Sequence, residues 1–167
     1  NFNNTTHYVI ALSDISAIRK VEAELNHLAY HDPLTELGNR HLLQERLALE
    51  LKTAQLNRKR LGLLFIDLDG FKLVNDNYGH QTGDVVLKRV AKLGNQLLED
   101  HGWVCRYGGE ELVVLLANPD IHFCQMLLEQ YRIGVASLDW REPGLGITFS
   151  GGLVASAPGL DATELLD

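Results

Sequence analysis

Residues Arg106 to Leu112 read RYGGEEL, and the apolar run Val113 to Ala117, VVLLA, follows without a break. Two glycines between β-forming residues predict a tight hairpin, because positive φ strains glycine little. Glu110 and Glu111 are then presented in the open, at the tip of a ribbon anchored by buried strands. Adjacent carboxylates repel unless a cation or a proton resolves the conflict. Hard oxygen ligands facing the bare backbone of Gly108 and Gly109 suit a magnesium-bound nucleotide. An ordinary solvated hairpin tip is the alternative. The surrounding blocks decide between the two.

Upstream, Leu61 to Asp84 reads LGLLFIDLDGFKLVNDNYGHQTGD. Leu63 to Ile66 is a short buried-strand pattern, and Asp67-Leu68-Asp69 stands where that strand ends. Alternation turns Asp67 and Asp69 to the side of Phe65. An acid at the end of a buried strand needs a partner, which makes it a candidate cation ligand. Phe71, Val74 and Tyr78 then recur at helical spacing, with Lys72, Asn75 and Asp76 among them. Gly79 to Asp84 predicts a loop opening a second helix that carries Val85, Val86, Leu87, Val90 and Leu93. Asp84 suits the N-cap of that helix as well as a ligand site.

These blocks resemble the GGDEF family of diguanylate cyclases. The matching pieces are DPLTELGNR at Asp32 to Arg40, DLDGFKLVND at Asp67 to Asp76 and GHQTGD at Gly79 to Asp84. RYGGEEL at Arg106 to Leu112 and TFSGGLVAS at Thr148 to Ser156 complete the set. Five blocks in the family's order, spread over most of residues 28 to 167, make the resemblance specific.

Composition agrees. A chain of 167 residues, 46% hydrophobic, is long enough for one substantial core. Its net charge of −7 argues against nucleic-acid binding, which needs a basic face, but not against a nucleotide that arrives with magnesium. Cys105 and Cys124 lie in apolar contexts without metal-type spacing, and read as reduced core residues of a cytoplasmic protein. No apolar run approaches the ~18 residues of a membrane span, so this fragment is expected to make no membrane contact. The first residue, Asn1, reads as the start of a fragment of a longer chain.

Along the chain, His7 to Leu12 (HYVIAL) is strand-like. Ile18, Val21, Leu25 and Leu28 then form an a/d seam separated by charged residues, either a dimerising helix or a helix packed on its own domain. Residues 1–14 resemble the tail of a PAS-like sensor, and residues 15–31 the signalling helix that often precedes GGDEF domains. Residues 32–167 resemble the GGDEF catalytic domain, truncated at its C-terminal end. Pro33 ends the linker helix close to Asp32. Asn39 can cap the helix carrying Leu42, Leu43, Leu47 and Leu51, and Arg58-Lys59-Arg60 is a solvated turn. His122 to Val135 has helical periodicity, with Phe123, Met126, Leu127 and Tyr131 as core contacts. Trp140 to Gly146 is loop-like, and Ile147 to Ala155 is a strand. Strand, helix, helix, hairpin, helix, strand is an α+β order around a largely antiparallel sheet. The resemblance adds the palm-like core shared by nucleotidyl cyclases and polymerases, flanked by helices.

The resemblance also implies a reaction and its residues. Two GTP molecules condense into cyclic di-GMP with release of two pyrophosphates, across a homodimer. Asp67 and Glu110 match carboxylates that hold two magnesium ions, or manganese in their place, with the Leu68 carbonyl assisting. Glu111 is a further metal or proton-handling candidate. Asn75 and Asp84 match the guanine-reading pair, while Gly108 and Gly109 let the α-phosphate approach the backbone. Lys72 matches a basic residue near the phosphates, and Phe71 and His80 lie beside the pocket, for packing or ligand contact. Three departures stand out. Leu112 replaces a phenylalanine. Glu99-Asp100-His101-Gly102 stands where the family's product-feedback site has Arg-x-x-Asp, so ordinary product inhibition is not expected there, and bound product should take the active-site pocket. The sequence ends at Asp167, at the start of the last family helix, before the usual lysine and arginine for the terminal phosphates. The alternative function is a non-catalytic domain that binds GTP or cyclic di-GMP and relays a signal.

Overall fold

A computed structural model describes residues 15–117, 120–157, 161–162 and 164–166. The strand expected at His7 to Leu12 and the sensor tail lie outside them. The elements in order are α1 (Ser16–Tyr30), β1 (Gly38–Asn39), α2 (Arg40–Leu56), β2 (Leu61–Leu68), α3 (Phe71–Tyr78) and α4 (His80–Leu98). The hairpin strands β3 (Gly102–Gly108) and β4 (Glu111–Ala117), then α5 (Ile121–Ala136) and β5 (Phe149–Ala155), complete them. The strands form one sheet in the order β1-β3-β4-β2-β5. Only the two-residue contact of β1 with β3 is parallel; the other pairings are antiparallel. The fold is α+β, as the element order predicted.

Both faces of the sheet are covered, which explains why β2 and β4 are apolar almost throughout. Leu64, Ile66 and Leu68 of β2, with Leu112, Val114 and Leu116 of β4, face α4 and α5. Leu61 and Leu63, with Val113 and Leu115, face Leu43, Leu47 and Leu51 of α2. Each such leucine contributes roughly 1.5–3 kcal/mol by leaving water. Strand β2 is held from both sides, by β4 and β5, so the acid at its end has a rigid mount. Cys105 and Cys124 are buried and free, on opposite faces of the sheet. Burial pushes the Cys105 thiol up to about 11. Leu112 is buried in the core. Among the described residues no helix is long and apolar enough to cross a membrane.

Several elements differ from expectation. The loop foreseen over Gly79 to Asp84 shrinks to Gly79, whose φ of +84° turns the chain in a single residue, so α4 starts at His80. Asp84 therefore lies inside α4 and is no cap. On α5 the buried stripe is Cys124, Leu127, Tyr131 and Val135; Phe123 and Met126 fall on the outer side and are exposed. α1 ends at Tyr30, close to Pro33 as expected, and it does not pack its seam on the domain. Ile18, Val21, Leu25 and Leu28 are 54–61% exposed. Asn39 caps α2 as predicted, accepting from the amides of His41 and Leu42, while its own Nδ2 donates to the Ala29 carbonyl at 2.8 Å. Arg58, Lys59 and Arg60 are exposed.

Candidate active site

The β3–β4 hairpin carries the two glutamates. Its register shifts between Arg106 and Gly108, leaving Tyr107 as a bulge, and Gly109 and Glu110 make the turn. Neither Gly108 nor Gly109 has positive φ, so the hairpin does not turn in the way the glycines predicted. An arginine holds its shape instead. Arg106 donates from Nε and Nη2 to the Gly109 carbonyl at 3.0 and 2.8 Å. Its Nη1 lies 3.0 Å from both carboxylate oxygens of Asp32. Asp32 also accepts from the Thr35 amide and hydroxyl. Burial would raise the Asp32 carboxyl, but the Thr35 bonds and the Arg106 guanidinium outweigh it and hold it below the usual carboxylate range. The joint after α1 is thus fastened to the tip of the hairpin. Sequence reasoning gave neither Asp32 nor Arg106 this role; opposite charges in two separate blocks were the available signal.

The two glutamates diverge. Glu111 is the cross-strand partner of Asp67, which on its other side faces Ser150 of β5. Residues paired this way point to one face with Cβ atoms about 4.5–5.5 Å apart. Asp67, Glu111 and Ser150 line one cleft with Tyr107 and Glu164. Asp69 lies past the strand end, and its carboxylate accepts from the hydroxyls of Thr148 and Ser150 at 2.7 Å each. Those two bonds hold its carboxyl below the usual range. The Leu68 side chain is in the core, so only its backbone can serve a ligand.

Glu110 faces the other way. It lines a cleft of about 400 Å³ with Phe71, Lys72, Asn75, His80, Asp84 and Gly109, the size of a small-ligand pocket. Seven of the residues singled out from sequence meet there. Phe71 is buried, Asn75 is half-buried, and Lys72, His80 and Asp84 are exposed. Gly108 lies on the α2 side of the tip, beside Asp32 and Arg40. Glu99 to Gly102, which stand where the resemblance expected a product-feedback site, border a separate hollow with Phe123.

The family model for diguanylate cyclase GGDEF domains matches residues 29–167. A diguanylate cyclase from Vibrio cholerae is 38% identical over 120 residues, covering 72% of this chain and 37% of that protein. Diguanylate cyclase DgcP of Pseudomonas aeruginosa is 40% identical over 129 residues, covering 76% of this chain and 19% of the relative. The chain thus spans well under half of the length of these relatives. Among solved structures, the coiled coil and GGDEF domain of DgcB from Caulobacter crescentus, in complex with c-di-GMP, superposes with a TM-score of 0.85 at 26% identity. It covers 91% of this chain and 82% of that one. The active GGEEF domain of a Vibrio cholerae diguanylate cyclase gives a TM-score of 0.72 at 33% identity, covering 77% and 83%.

Proposed function

The chain belongs to the GGDEF-domain family of diguanylate cyclases, and from that membership we propose that it condenses two GTP into cyclic di-GMP with release of two pyrophosphates. One observation carries the proposal: a single hairpin tip sends one carboxylate to a second acid and the other to a polar cleft beside Asn75 and Asp84. The cleft suits guanine, because a carboxylate accepts from N1–H and the exocyclic amine while an amide serves the purine edge. Lys72, on the same cleft, meets phosphate charge. Gly109, with open space where a Cβ would stand, lets the α-phosphate lie on the backbone.

The donor set fits a hard divalent cation. Asp67 and Glu111 are exposed cross-strand neighbours, and magnesium binds to one or two carboxylates plus substrate phosphates rather than to an all-protein cage. The ladder register favours Glu111 over Glu110 as the partner of Asp67, with the Leu68 carbonyl as a backbone donor. Magnesium or manganese bound there would neutralise phosphate charge and acidify the attacking 3′-hydroxyl. Glu110, on the substrate side of the tip, is left to take that hydroxyl's proton on its carboxylate. Each 3′-hydroxyl attacks the α-phosphate of the other nucleotide, so two domains must face one another. The uncovered seam of α1 supports a parallel helix pair that joins them, as a signalling helix would after a sensor. GTP as substrate places the reaction in the cytoplasm.

Incubation of the protein with GTP and magnesium should yield cyclic di-GMP by mass spectrometry, and ATP should yield no cyclic dinucleotide. GTP binding without product would instead mark a regulatory binding module.

A further inference from the structure

Gly83 is buried in the first turns of α4, where that helix packs on α3. A Cβ built on Gly83 would lie 2.1 Å from Asn75 Oδ1, 3.1 Å from its Cγ and 3.2 Å from Phe71 Cζ. Even a methyl group cannot enter while Asn75 keeps its place. The backbone does not ask for glycine here, because φ is not positive and the residue is helical. Helix propensity argues against glycine, since alanine is the better helix former. What glycine permits is the close seat of one amide side chain against α4, next to Asp84.

We propose that Gly83 is a positioning residue for base recognition. Its missing side chain seats the Asn75 amide at a fixed place beside the Asp84 carboxylate, and so sets which purine the cleft accepts. The proposal rests on the reading of Asn75 and Asp84 as the guanine pair. It also predicts a selective defect. The first atoms that a new Cβ meets belong to the Asn75 side-chain end rather than to backbone, so Asn75 yields, and the Phe71 ring needs only a slight shift.

The test is a double-mutant cycle on Gly83→Ala and Asn75→Ala, with GTP and ATP affinities by calorimetry and thermal unfolding for each variant. Gly83→Ala should weaken GTP about tenfold, the scale of one lost hydrogen bond, and narrow the preference for GTP over ATP. Its melting temperature should not fall. Added to Asn75→Ala, it should weaken GTP no further, because the amide it displaces is already gone. Equal losses in both backgrounds, or unchanged GTP affinity when Asn75→Ala alone is defective, would overturn the proposal. Wild-type affinity in Asn75→Ala would overturn the guanine reading and the proposal with it. Should Gly83→Ala unfold, rescue by Asn75→Ala supports the contact, and failure of that rescue refutes it.

Discussion

Arg106 engages two partners with one guanidinium: the turn carbonyl of Gly109 and the carboxylate of Asp32. Both ionic side chains are only 17% exposed, so solvent screens the pair weakly. Asp32→Asn keeps an oxygen acceptor but removes the charge. It should lower stability by about 1–2 kcal/mol, the worth of a charge-assisted bond, and reduce product formation by loosening the tip. The pH dependence has a definite sign. Asp32 titrates below its ordinary value, so its contribution is present above the usual carboxylate pKa of about 4 and is lost as pH falls through the depressed value. Denaturant unfolding of wild type and Asp32→Asn across acidic pH checks this. Their stability difference should be constant above about pH 5 and shrink in stronger acid; a difference that persists there would contradict the anchor.

Among the described residues, α1 touches the domain at its end, and its seam of Ile18, Val21, Leu25 and Leu28 is exposed. Asn39 bonds to Ala29, Tyr30 Oη donates to Glu45, and His27 stacks on His31 with ring centroids 4.4 Å apart. Leu25, 61% exposed, already faces solvent in one chain. Leu25→Glu should therefore leave thermal unfolding of the domain within about 0.5 kcal/mol of wild type, as surface changes do. In sedimentation it should shift the protein toward monomer and lower synthesis. An unchanged sedimentation profile would remove the seam as the dimerising surface. Periodicity made the helices and strands legible. It could not find where α4 begins, because one positive-φ glycine replaced a loop and carried Asp84 from a cap to the helix interior. Nor could it orient α5: Phe123 and Met126 are as apolar as the Cys124 and Leu127 that pack inward, and only the tertiary arrangement chooses between the stripes.

Across the whole molecule, motif order made the membership of the cleft legible in the sequence, since Phe71, Lys72, Asn75, His80 and Asp84 lie on two consecutive helices. That Glu111 rather than Glu110 pairs with Asp67 was not legible. Neighbours in a chain can face opposite sides of a sheet, and the register of the β2–β4 ladder sets which acid meets Asp67. Arg106 was hidden for a similar reason, its partner lying 74 residues away. The proposed roles, metal at Asp67 and Glu111 and proton at Glu110, can be separated by manganese binding. Free manganese would be followed by electron paramagnetic resonance as the ion is titrated into protein saturated with a non-hydrolysable GTP analogue. Glu111→Gln should weaken binding at least about tenfold, the factor that ~1.4 kcal/mol of lost attraction gives, whereas Glu110→Gln should bind manganese like wild type while making no product. Manganese binding lost in Glu110→Gln and kept in Glu111→Gln would show that the two glutamates have the opposite roles.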